Sequence, residues 1–159
     1  MNNKIKKLIK ILSSQNKTLS TMESCTGGGL VDKITSVPDA SKIIKFSAVT
    51  YSNDFKIKMG VDKNIIDKYS VYSTEVSNEM SKNIALFSNS NYGIGITGKL
   101  NKPDTENIFG KDNIVYISIY DKDNNKFYNK KVEVTEKLRP QNKLLVVNNA
   151  LDLLLDIIN

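Results

Sequence analysis

The chain has no histidine and no tryptophan, and only one cysteine, one arginine and three prolines among its 159 residues. Without histidine there is no Ser-His-Asp triad, no Cys-His dyad, no HExxH zinc site and no imidazole acid or base. A lone Cys25 rules out an internal disulfide and any multi-cysteine zinc site. No apolar run approaches the roughly 18 residues a membrane span needs, so no membrane contact is expected. The formal charge is +6, but it comes almost wholly from lysines dispersed along the chain. Base reading and phosphodiester clamping usually rest on arginine forks and basic stripes, and Arg139 is the only arginine. The charge therefore reads as a solvated basic surface, and a nucleic-acid partner is not expected.

What remains is ordinary for a globular chain: 40% hydrophobic and 25% charged residues. Residues 1–159 are expected to form a single domain, with no repeat, linker or low-complexity stretch. The basic N-terminus is interrupted by Lys10 and followed by no small-residue cleavage site, which makes a cytoplasmic location the expectation. Ile5, Leu8, Ile9 and Leu12 recur there at helical spacing.

Beyond that helix the pattern predicts a strand over Lys17 to Glu23 and a helix starting at the glycines after it. A second strand is expected over Ser47 to Tyr51, a short helix capped by Asp62 and a longer one capped by Ser73. Gly93 to Thr97 reads as a third strand, and Leu100 to Asn113 as a long polar loop of functional interest. Ile114 to Tyr120 and Phe127 to Val134 form a hairpin, and a helix from Gln141 to Ile158 closes the chain. The turn Asp121-x-Asp123-x-Asn125 imitates a calcium loop, but Lys126 and Val132 stand where glycine and glutamate are needed, and no metal site is expected. The sum is an α/β fold: a three-layer α/β/α sandwich on a mixed, mostly parallel sheet of about five strands.

Three places carry residues suited to chemistry. Glu23-Ser24-Cys25-Thr26-Gly27-Gly28-Gly29 lies at a strand-to-helix junction, where free N–H groups attract anions and glycines admit a ligand closely. A plain glycine turn capped by hydroxyls is the simpler reading, since this is neither a P-loop nor a GxGxxG. Thr50-Tyr51-Ser52-Asn53-Asp54-Phe55-Lys56 follows the second strand, so both segments can open onto one crevice at the carboxyl ends of strands. A lysine beside a serine nucleophile can replace histidine if its pKa falls by about 3 units, whereas most lysines here are surface groups. Arg139, before the last helix, suits a phosphate or carboxylate clamp or equally a surface ion pair. Cys25 reads as a core-filling residue rather than a thiolate.

Taken together these segments resemble the CinA C-terminal domain family of nicotinamide-nucleotide amidohydrolases. Thr21-Met22-Glu23-Ser24-Cys25-Thr26-Gly27-Gly28 looks like that family's T-A-E-S-C-T-G-G. Val49-Thr50-Tyr51-Ser52-Asn53 with Lys56 looks like its V-x-Y-S-N-x-x-K, followed by Gly60-Val61. Ser73, Glu79 and Met80 fall on a family helix, Ile96-Thr97-Gly98 on the start of T-G-I-A-G-P, and Arg139 and Lys143 on basic positions around the last helix. The later glycines of the third motif are absent, replaced over Lys99 to Thr105.

The resemblance implies hydrolysis of nicotinamide mononucleotide to nicotinic acid mononucleotide and ammonia, without metal or cofactor, by a stand-alone, self-associating domain. On that reading Ser24 is the nucleophile, Lys56 the base and Tyr51 a proton relay. N–H groups of Thr26, Gly27 and Gly28 hold the oxyanion, Asn53, Thr97 and Gly98 line the substrate, and Arg139 and Lys143 bind its phosphate. The Ser-Cys-Thr-Gly-Gly turn serves either the oxyanion or the phosphate. The altered loop leaves a non-catalytic pyridine-nucleotide-binding module as the alternative.

Overall fold

The computed structural model describes all 159 residues. Helix α1 (Asn2–Ser14) buries Ile5, Leu8, Ile9 and Leu12, the stripe its periodicity predicts. Strand β1 (Leu19–Glu23) is buried at every position, as befits a central strand covered on both faces. Helix α2 (Gly29–Thr35) and a 3₁₀ turn at Ala40–Lys42 lead to strand β2 (Ile44–Val49). Helices α3 (Asn53–Lys58), α4 (Lys63–Tyr69) and α5 (Thr74–Ser88) each begin at a side-chain cap. Ser52, Asp62 and Ser73 accept from the N–H groups of Phe55, Asn64 and Val76 respectively. Strands β3 (Tyr92–Gly98), β4 (Ile114–Asp121) and β5 (Lys126–Glu133) follow, and α6 (Arg139–Ile158) closes the chain.

The five strands lie in the order β2-β1-β3-β4-β5. β1 pairs parallel with both β2 and β3, whereas β4 is antiparallel to both its neighbours. Four strands therefore point one way and only β4 is reversed. Helices α1, α2 and α6 cover one face with the larger apolar cluster, which includes Leu19, Ile94, Ile96, Ile117 and Ile119. Helices α4 and α5 cover the other, around Met22, Val76, Met80 and Ile84. The result is the three-layer sandwich.

On the α5 face the sheet and helix come unusually close. A Cβ on Gly93 would stand 1.9 Å from the carbonyl oxygen of Ser81, and one on Gly95 2.4 Å from that of Ser77. Small residues on α5 match the glycines: Ser77, Ser81 and Ala85 are fully buried there. Ser81 and Ser118 hydroxyls pair at 2.9 Å, so the tight seam leaves those oxygens satisfied.

Two elements differ from the sequence expectation. β2 begins at Ile44 and ends at Val49 rather than spanning Ser47 to Tyr51. Its pairing with β1 stops where the Thr50 N–H donates to the Glu23 carbonyl, and the chain then turns into α3. Helix α3 is not among the elements the sequence pattern predicts. Its one buried residue is Lys56, so the apolar period that signals a helix is missing.

Candidate functional site

The order of the first three strands reverses at β1: the chain crosses to β2 on one side and returns to β3 on the other. Such a switch point leaves a crevice at the carboxyl ends of β1 and β3. Ser24 follows β1 directly and its N–H donates to the Ile96 carbonyl at 3.1 Å, while Gly98 ends β3.

Glu23 shapes this corner. Its fully buried carboxylate accepts from the N–H groups of Leu30 and Val31, each at 3.0 Å, and from the Thr26 hydroxyl at 2.6 Å. It thus caps α2 from outside the helix, satisfying donors that would otherwise stand orphaned at its start. Gly27 and Gly28 take positive φ (61° and 89°), which lets the chain turn sharply from Ser24 into that helix. The Gly27 N–H donates back to the Ser24 carbonyl at 2.9 Å. The N–H groups of Cys25 and Thr26 donate to no other residue of the fold.

Lys56 reaches the same corner from α3. Its side chain is buried, and its Nζ lies 2.7 Å from the Thr50 carbonyl oxygen and 3.2 Å from Ser24 Oγ. No carboxylate stands close enough to pair with it. Burial accordingly pulls the ammonium's pKa down to about 8, outweighing an opposing pull from Cys25. Cys25 is buried in the larger core cluster, and burial pushes its thiol up to about 12, which leaves it unreactive at neutral pH.

Ser24 and Lys56 open into a cleft of about 1000 Å³. Tyr51 and Arg139 stand at its mouth, with the Arg139 guanidinium donating to the Tyr51 hydroxyl at 3.3 Å. Tyr51 is 65% exposed, and Arg139 pairs with no carboxylate. The opposite wall is the segment from Gly98 to Asn107, together with Tyr72 from the α4–α5 connection. The Asp104 carboxylate accepts from the Tyr72 hydroxyl, which holds its pKa down to about 2. The same contact, added to burial, pushes the Tyr72 phenol up.

The expected site residues thus divide. Ser24, Tyr51, Asn53, Lys56, Gly98 and Arg139 line the cleft. Thr26, Gly27, Gly28 and Lys143 line a separate hollow of about 470 Å³ on the far side of the Ser24–Cys25 turn, with Lys143 lying over Gly27. Thr97 lines neither, because its buried hydroxyl donates to the Val71 carbonyl at 3.0 Å. Asn53 spends its amide on Asn107 at 3.1 Å. Sequence reasoning did not find the Cys25 N–H, Tyr72 or Asp104. The first follows from the geometry of a nucleophile at a strand-to-helix turn, where the next residue's N–H faces the reacting carbonyl. The other two come from a loop contact that no spacing encodes.

Known proteins with this sequence pattern share the fold. A family model described as the CinA C-terminal domain matches residues 2–158. A protein from Caldanaerobacter subterraneus named "Putative competence-damage inducible protein" is 45% identical over 92 residues, covering 57% of this chain and 22% of its own length. A relative of the same name from Clostridium kluyveri is 40% identical over 114 residues, 71% of this chain and 28% of its own. The chain therefore spans only about a quarter of the curated relatives it matches. A crystal structure of a competence-damaged protein (CinA) superfamily protein from Escherichia coli superposes with a TM-score of 0.87 at 25% identity, covering 98% of this chain and 89% of that one. No helix of the fold is long and apolar enough to cross a membrane.

Proposed function

The chain belongs to the CinA C-terminal domain family, and from that membership we propose that it hydrolyses the carboxamide of nicotinamide mononucleotide to nicotinic acid mononucleotide and ammonia. The observation that carries the reading is the buried, carboxylate-free Lys56 whose Nζ sits 3.2 Å from Ser24 Oγ. A lysine held that way is neutral in an appreciable fraction of molecules near pH 8 and can accept a hydroxyl proton, the task histidine performs elsewhere.

In the proposed reaction Ser24 Oγ bonds to the carboxamide carbon as its proton passes to Lys56 Nζ. The carbonyl oxygen becomes an oxyanion, and the unengaged N–H of Cys25, which lines the cleft beside Ser24, is the donor available to it, worth about 3 kcal/mol if well aimed. The carbon–nitrogen bond then breaks, Lys56 returns the proton to the departing nitrogen, and ammonia leaves. Water, deprotonated by the neutral Lys56, attacks the resulting ester and restores Ser24 as the carboxylate product departs. Tyr51 orients or relays the proton at the mouth, and Arg139, free of any carboxylate, takes the nucleotide phosphate. Lys143 and the Gly27-Gly28 turn, in the separate hollow, have no part in this scheme.

The test is ammonia release from nicotinamide mononucleotide by the purified wild type beside Ser24→Ala and Lys56→Ala. Activity abolished in both variants, with nucleotide binding retained in Ser24→Ala, is the expected result. A wild type that binds the nucleotide and releases no ammonia would overturn the hydrolase in favour of a binding module.

A further inference from the structure

The 100–113 segment is tied down at two levels, and both ties meet one aromatic ring. At its base, the Lys99 side chain is buried, its Nζ donates to Asp112 at 3.0 Å, and its charge lies 5.3 Å from the centre of the Tyr72 ring. The backbone closes the same point, with the Lys99 N–H donating to the Ile114 carbonyl at 3.1 Å. In its middle, Asp104 accepts from the hydroxyl of that same Tyr72. Asp104 also accepts from the Asn107 side-chain amide and the Glu106 N–H, both at 3.0 Å. Asn107 in turn accepts from Asn53 at the start of α3. Beyond these ties the tip is exposed, with Phe109 70% accessible.

We propose that Asp104 is a positioning residue: with Tyr72 as its post, it clasps this loop as a fixed wall of the Ser24 cleft, so that substrate binds to a pre-ordered site. Both carboxylate oxygens accept from loop and wall donors, which makes Asp104 the point at which the loop is tied to Tyr72. A wall already ordered spares a ligand the entropy of ordering it. The catalytic part of this inference rests on the hydrolase reading; the loop part does not.

The experiment compares wild type, Asp104→Ala, Tyr72→Phe and the double variant. Limited chymotrypsin digestion after Phe109 reads the loop, and steady-state ammonia release reads the site. Losing a charge-assisted hydrogen bond corresponds to roughly tenfold or more in an opening equilibrium. Each single variant should therefore be cut after Phe109 at least about tenfold faster, with cleavage elsewhere unchanged and the double variant little worse than either. KM should rise by about the same factor with kcat nearly retained. Unchanged cleavage at Phe109, a doubled effect in the double variant, or faster cleavage at all sites together would each overturn the clasp. A wild type silent on the nucleotide would refute the hydrolase reading, while the digestion would still decide the clasp.

Discussion

Replacing Lys56 by methionine should abolish turnover and yet make the protein more stable. Lowering an ammonium's pKa from 10.5 to about 8 by burial costs the fold roughly 3 kcal/mol at pH 7. Methionine fills nearly the same space without the charge, but leaves the Thr50 carbonyl oxygen and Ser24 Oγ without their Nζ partner. Each lost hydrogen bond returns about 1 kcal/mol of cost. The net gain is then about 1–2 kcal/mol, or around 5 °C in Tm for a domain of this size. The pH dependence is the sharper test. The folded pKa lies below the unfolded one, so below about 8 the penalty is present in full, and it fades as pH rises toward 10.5. The stability advantage of Lys56→Met over wild type, measured by urea unfolding, should shrink by about 1 kcal/mol between pH 7 and pH 9. Taking the difference between the two proteins cancels other titrating groups, Cys25 included. A difference in stability between the two proteins that stays constant over this range would refute the claim that burial depresses this lysine.

The rate of ammonia release should rise with pH through about 8 and then level off, because only the neutral Lys56 accepts the serine proton; a profile flat from pH 6.5 to 9 would contradict the assignment. Glu23→Gln keeps one oxygen acceptor but sets its amide NH2 against the N–H of either Leu30 or Val31, and urea unfolding should show a loss of about 2–4 kcal/mol. Gly95→Ala drives a methyl onto the Ser77 carbonyl at 2.4 Å and should cost at least about 3 kcal/mol. By contrast, Gly110→Ala meets no neighbour and should cost only the strain of its positive φ, about 1 kcal/mol. Arg139→Ala should weaken nucleotide binding by about tenfold to a hundredfold in calorimetry while leaving thermal unfolding unmoved.

Much of this architecture can be read before any coordinates. The α1 stripe, the Asp62 and Ser73 caps and the β4–β5 hairpin all follow from local period and local capping chemistry. The meeting of Ser24 with Lys56 could be suspected, because both segments follow strands of one sheet. What escaped reading depends on contacts between distant segments. Helix α3 is hidden by the very lysine that makes it interesting, since a buried charge interrupts the apolar period. The division of the expected anion-binding residues into two hollows depends on how the turn at Ser24 is folded, which Glu23 decides by capping α2 from β1. Thr97 looks available in the sequence and is spent on a carbonyl 26 residues away.

The glycine seam between β3 and α5 also bears on how such a chain can diverge. With the sheet and helix backbones nearly in van der Waals contact at Gly93 and Gly95, neither position has room for a larger residue. Drift in this layer is therefore confined to residues that face away from it. The end of β3 at Gly98 is anchored by that seam, and the loop just beyond it hangs from a fixed point. Substitutions there can accumulate without moving Ser24, since the strand that supports its N–H stays where the seam holds it. The wall of the cleft from Lys99 to Thr105 can thus change while the serine and lysine keep their separation.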